Sequence, residues 1–140
     1  MIRQFEIVAR LSQVQNDKAK QASALDWLGF IYNALGKKQR ALDYHNRALP
    51  LRRAVGDQGG EGTTLTNIGA VYSAVGEKQK ALEYYNQALP LFRTVGDRGR
   101  EAATLNNIGA VYEALGERQT ALKYHNQALS LFRVVGDQSG

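Results

Sequence analysis

The sequence has no cysteine among its 140 residues, which removes disulfide scaffolds, thiolate metal sites and cysteine nucleophiles together. It has two prolines, Pro50 and Pro90, and few isolated β-branched residues, so little in it interrupts helices. No apolar run approaches the length of a membrane span, and the N-terminus lacks the charged-then-apolar layout of a secretory signal. Cytoplasmic residence without membrane contact is the expectation. Lysine is missing from the glycine-rich stretch GDQGGEGTTL, Gly56 to Leu65. A phosphate-cradling loop needs glycine, four residues, glycine, then lysine and a hydroxyl residue, fed by a strand. Neither the lysine nor a β-branched run before it is there, so the stretch is a joint and no nucleotide cofactor is expected.

What is present points to one all-α unit. Apolar residues make up 44% of the chain, enough for a buried core, and Ala, Leu, Gln, Lys and Glu are plentiful. The net charge of +5 is local rather than spread. Lys37, Lys38, Arg40, Arg47, Arg52 and Arg53, offset only by Asp43, account for the whole excess. A nucleic-acid track would continue along the molecule, so this run is expected to be a solvated outer face, and nucleic acid is not an expected partner.

The chain repeats itself every forty residues. LDWLGFIYNALGKKQRALDYHNRALPLRRAVGDQ from Leu25 returns as LTNIGAVYSAVGEKQKALEYYNQALPLFRTVGDR from Leu65 and as LNNIGAVYEALGERQTALKYHNQALSLFRVVGDQ from Leu105. Most aligned positions of the last two copies are identical, which indicates duplication. A partial copy leads: Gln4 to Asp17 aligns with Tyr44 to Asp57, placing Asn16 opposite Gly56. Each copy predicts two helices. Leu65, Ile68, Gly69 and Tyr72 fall on one helical face, as do Ala81, Leu82, Tyr85, Ala88 and Leu89. Gly76 and Gly96 supply left-handed stops, Gly56 does the same before Asp57, and Asp57 and Asp97 are the next N-caps. Gly59, Gly60 and Gly62 each weaken the following helix by about 1 kcal/mol, so it is expected to start late and form the most mobile joint. Pro50 and Pro90 predict kinks in their helices, whereas Ser130 leaves the last one straighter.

The pattern L-x-x-[LI]-G-x-x-Y, then glycine, then alanine four residues before His or Tyr, resembles the tetratricopeptide repeat. Gly29, Gly69 and Gly109 recur in register with Ala41, Ala81 and Ala121, small residues expected where two helix backbones nearly touch. The resemblance covers essentially the whole chain. It departs from the family in its period of forty, in Leu25, Leu65 and Leu105 at the usual tryptophan position, and in Arg53, Arg93 and Arg133 at the late proline. The longer period is similar to that of kinesin light chains, Pins-type adaptors and bacterial signalling arrays. The resemblance implies a right-handed superhelical solenoid of antiparallel helix pairs: a leading half-repeat, 1–16, then repeats 17–56, 57–96 and 97–140, the last with a trailing joint.

In such a solenoid the first helices line a hollow that holds peptides. With Leu25, Leu28 and Tyr32 facing the second helix, Ser23, Asp26, Trp27, Phe30 and Asn33 turn toward the hollow. Thr63, Thr66, Asn67, Ala70 and Ser73 follow, then Ala103, Asn106, Asn107, Ala110 and Glu113. Trp27 and Phe30 either anchor a ligand or pack on the leading half-repeat. Asn67 and Asn107 either bond a peptide backbone or link neighbouring helices. Chaperone-binding members grip a terminal carboxylate with lysine, arginine and asparagine; here only the asparagines recur, which argues against such a ligand. His45 and His125 lie two repeats apart and cannot share a metal, and Tyr44, Tyr84 and Tyr124 are expected as packing. No catalytic, cofactor or metal set stands outside the repeat pattern, so a noncatalytic protein-interaction scaffold is expected. The rival expectation is self-association, with Leu131, Phe132 and Val135 leaving an apolar end where another repeat would stack, including homo-oligomers through uncapped ends.

Overall fold

The computed structural model describes residues 2–14 and 17–139, and every element among them is helical. The helices are α1 (Ile2–Val14), α2 (Lys18–Ala34), α3 (Lys38–Ala54), α4 (Gln58–Ala74), α5 (Lys78–Val95), α6 (Arg98–Ala114) and α7 (Arg118–Ser139). Each packs on the next in chain order, with the closest pairing inside α2–α3, α4–α5 and α6–α7. The result is an all-α solenoid of antiparallel helix pairs, with α1 stacked on the first pair. No described helix is long and apolar enough to cross a membrane. The Asn16 position matched to Gly56 lies outside the described residues.

The sequence sets the joints by paired stop and start signals. Gly36, Gly56, Gly76, Gly96 and Gly116 have φ between 71° and 86°. At Gly56, the Asp57 N–H reaches back to Arg52 O (3.0 Å) and the Gly56 N–H to Arg53 O (3.1 Å), the paired bonds that satisfy the last carbonyls of a helix. Asp17, Asp57 and Asp97 then accept from the N–H groups of Lys20, Gly60 and Arg100 at 3.0, 2.8 and 3.0 Å. Arg53 and Arg93 clasp the joints from outside, 2.9 and 2.7 Å from Glu61 and Glu101. At the late-proline position these arginines therefore tie one repeat to the next.

Two expectations need correction. First, α4 does not start late: Gln58 is in register with Lys18 and Arg98. Its glycines are accommodated by the Asp57 cap and by packing, because a Cβ on Gly62 would come within 2.8 Å of the Phe92 ring. Second, there is no trailing joint at Gly136, since α7 runs to Ser139. The helices α3 and α5 run on past Pro50 and Pro90 to Ala54 and Val95, with both proline rings exposed.

The repeated glycines also serve a contact different from the expected one. What lies over Gly29, Gly69 and Gly109 is a ring from the second helix rather than its backbone. An added Cβ would stand 2.6 Å from His45 Cε1, 2.8 Å from Tyr85 Cε1 and 2.8 Å from His125 Cε1. Tyrosines stack within every repeat as well: Tyr32 on Tyr44, Tyr72 on Tyr84 and Tyr112 on Tyr124, with centroids 5.4 to 5.5 Å apart. Burial pushes up the pKa of Tyr85 and Tyr112; for Tyr44, burial comes first and the Glu6 carboxylate beside it adds to the rise.

Candidate functional site

The first helices α2, α4 and α6 present one face on which three adjoining clefts open. The cleft between α1 and α2 holds about 340 Å³ and includes Phe5, Lys20 and Trp27. The next, about 330 Å³, lies among Trp27, Phe30, Asp26, Asn67, Arg52 and Arg100. The third, about 120 Å³, shares Asn67 and Arg100 and adds Thr66, Phe92 and Ala103. Adjacent clefts share walls, Ser23, Trp27 and Arg52 between the first two and Thr63, Asn67 and Arg100 between the last two, and together they form a row, the candidate groove.

Trp27 and Phe30 both line its second cleft. Trp27 stacks on Phe5 of α1, centroids 5.9 Å apart at 13°, and Phe30 meets Trp27 edge-on at 5.8 Å and 80°. The Trp27 side chain thus packs on the leading helix and remains 54% exposed, while Phe30 is 56% exposed and its ring contact is to Trp27. The two expected roles, packing and presentation, coexist.

Asp26 lines the second cleft but is only 8% exposed, and its two oxygens take three donors. The His45 Nδ1–H donates to Oδ1 (2.9 Å), while the Arg52 Nη2 and the Thr64 hydroxyl donate to Oδ2 (3.1 and 2.7 Å). Arg52 extends the network to Asp57 at 3.0 Å, so this member of the basic run is an internal tie and not part of a solvated face. Its Nε is buried without a partner. The network joins repeats one and two where Phe92, the equivalent of Arg52, fills the second repeat with an apolar ring.

The remaining positions separate by repeat. Asn33 and Ser73 sit at the hairpin turns, each held by a lysine: the Lys38 ammonium donates to Asn33 Oδ1 at 2.6 Å and Lys78 to Ser73 O at 2.9 Å. The Thr66 hydroxyl bonds back to Gly62 O. Asn106 accepts from His125 Nδ1 at 2.9 Å, and Glu113 lies 3.3 Å from the other nitrogen of that ring. These two therefore belong to a link within the third repeat. Asn67 and Asn107 are half-buried, Ala70 half-buried and Ala110 exposed. Arg52, Arg100, Lys20 and Phe5 line the groove without having been singled out in the sequence. The signal for Arg52 was available, because its two counterparts are Phe92 and Phe132.

At the far end, α7 exposes what its counterparts bury. Leu122, Leu129 and Phe132 are 56, 46 and 44% exposed, whereas Leu82, Leu89 and Phe92 in α5 lie under α6 at 6, 6 and 1%. Leu131 and Val135, expected at the same end, are half-buried, and Leu131 packs into the core of the third repeat. Among the described residues there is no group of three or more His, Cys, Asp or Glu positioned to hold a metal.

Comparison with known proteins agrees with this architecture. No curated protein sequence matches the chain. Among solved structures, BtubC from P. vanneervenii is 22% identical with a TM-score of 0.85, over 96% of this chain and 56% of its own. A Rap protein complexed with Competence and Sporulation Factor is 20% identical with a TM-score of 0.81, over 94% of this chain and 37% of its own. The TPR domain of Arabidopsis FLU is 17% identical with a TM-score of 0.76, over 84% of this chain and 98% of its own. The chain thus spans only about half or less of the first two proteins. Family models described as tetratricopeptide repeat match residues 20–94 and 102–135, so the chain belongs to the tetratricopeptide repeat family.

Proposed function

We propose that the groove along α2, α4 and α6 binds an extended peptide or protein segment. The carrying observation is the row of three clefts with shared walls, beside two large aromatic side chains held in fixed contact yet more than half exposed. Rigid, partly exposed aromatics supply contact area with little ordering cost, which is why they anchor interfaces. Asn67 lines two of the clefts and Asn107 is its counterpart on α6, and the reading gives both the role of bonding a ligand backbone. The likeness to the Rap protein carries the fold alone; the reading rests on the groove. In this reading the chain divides into a half-repeat, 1–16, and repeats 17–56, 57–96 and 97–140, and its period groups it with kinesin light chain, Pins-type and bacterial signalling arrays. Peptides selected by display against the chain test it. Binding is expected to weaken when Asn67 and Asn107 are both changed to alanine, and undiminished binding overturns the groove assignment.

A second reading is favoured by α7 alone. Its exposed Leu122, Leu129 and Phe132 repeat a surface that α6 covers in the preceding repeat. Self-association through this face predicts light scattering that rises with concentration. A strict monomer at high concentration removes it.

A further inference from the structure

We infer that the boundary between the first and second repeats is the anchoring subsite of this groove, taking an aliphatic side chain against Trp27 and Phe30 and an acidic side chain at Arg100. The inference rests on the groove reading and adds the chemistry of the ligand.

The duplication inside the chain supplies the comparison. At core positions the three copies agree in kind: Leu25, Leu65 and Leu105 are all buried, as are Leu28, Ile68 and Ile108. Several unlike replacements line this cleft. Trp27 stands against Asn67 and Asn107, Phe30 against Ala70 and Ala110, Arg52 against Phe92 and Phe132, and Arg100 against Gly60 in the second copy and another cation, Lys20, in the first. Packing does not account for the two rings, which remain 54 and 56% exposed while their contacts fix them in place. A cleft of about 330 Å³ beside them has room for one aliphatic side chain.

Charge then selects the neighbour. The cleft is lined by Arg52, Arg100 and a single carboxylate, Asp26, whose two oxygens already take three donors. A cation entering there meets two guanidinium groups and no free carboxylate. An anion meets Arg100, whose side chain is 58% exposed, with Nε 3.5 Å from Asp97. A carboxylate within hydrogen-bond reach of that guanidinium gains a charge-assisted contact.

Trp27 is the only tryptophan, so its emission reports directly on the subsite. The probes are short peptides, acetylated and amidated, identical except for a central pair of Leu-Glu, Leu-Gln, Leu-Lys or Gly-Glu, together with the Leu-Gln peptide carrying a free C-terminal carboxylate. Leu-Glu is expected to bind roughly fivefold more tightly than Leu-Gln, the upper range for a partly exposed pair. Gly-Glu is expected to lose on the order of tenfold through the missing side-chain burial. Arg100→Gln, an exposed substitution, is expected to bring Leu-Glu and Leu-Gln to parity while the Trp27 response to leucine persists. Equal binding of Leu-Glu, Leu-Gln and Leu-Lys with a Trp27 response overturns the acidic subsite and leaves the groove reading standing. Tighter binding only with the free terminus assigns the anion to a chain end and likewise overturns it. Failure of every probe to change Trp27 emission overturns the subsite, while the groove reading is decided separately by the Asn67 and Asn107 substitutions.

Discussion

Replacing Gly29, Gly69 and Gly109 by alanine, one at a time, separates ring packing from helix propensity. All three lie at equivalent interior positions of first helices, so alanine brings each the same propensity gain, about 1 kcal/mol. What differs is the ring above. At Gly29 the new Cβ would lie 2.6, 2.6 and 2.8 Å from three atoms of His45, which is 1% exposed and tied to Asp26, so the ring has no retreat. At Gly69 it would meet Tyr85 at 2.8, 2.9 and 3.2 Å, in a ring that is buried but carries no tie to a carboxylate. At Gly109 it would meet His125 at 2.8 Å, where the imidazole is 34% exposed and can move outward. Overpacking costs about 1–3 kcal/mol when the neighbour cannot yield. The net expectation is a loss of about 1–2 kcal/mol for Gly29→Ala, a smaller loss for Gly69→Ala and little change for Gly109→Ala. Urea denaturation followed by circular dichroism gives the order. Equal stabilisation of all three variants, as propensity alone would produce, refutes the reasoning.

The remaining predictions concern charge and the free end. Asp26→Ala leaves the buried His45 Nδ1 without its partner and Arg52 with Asp57 alone, and is expected to cost about 3 kcal/mol in the same denaturation assay. Asp26→Asn is expected to cost less, because Asn106 already shows the same amide-to-histidine bond in the third repeat at 2.9 Å. Tyr44, Tyr85 and Tyr112 hold their protons more tightly folded than unfolded. The stability linked to this is complete below the ordinary tyrosine value of 10.0 and is lost as pH rises through the raised folded values, so an alkaline fall in melting temperature is expected that Tyr85→Phe reduces. Changing Leu129 and Phe132 to lysine is expected to abolish any concentration-dependent scattering while leaving the melting temperature within a few degrees; scattering that survives places self-association elsewhere.

The helices and their joints were legible because their signals are local. Gly56 followed by Asp57 specifies a left-handed stop and a cap within two residues, and both are found. The role of Gly29, Gly69 and Gly109 was legible only in part. Spacing showed that something approaches them closely, but whether backbone or ring does so depends on the rotation of the paired helix. The ties of Asp26 were hidden for a similar reason: its partners His45, Arg52 and Thr64 come from three different parts of the chain, and no periodicity links them. Arg100 went unremarked because it occupies the first turn of α6 and enters the groove only when α6 stacks beside α4. The extension of α7 through Gly136 shows the limit of motif reading, since the same Gly-Asp pair makes a joint at Gly56 and Gly96 and lies inside a helix here.

The most direct test of the account is backbone amide shift mapping on the isotopically labelled chain with a display-selected peptide. The account predicts perturbations running along α2, α4 and α6, strongest near Trp27, Asn67 and Arg100. Perturbations confined to the outer faces of α3 and α5, or to α7, contradict it.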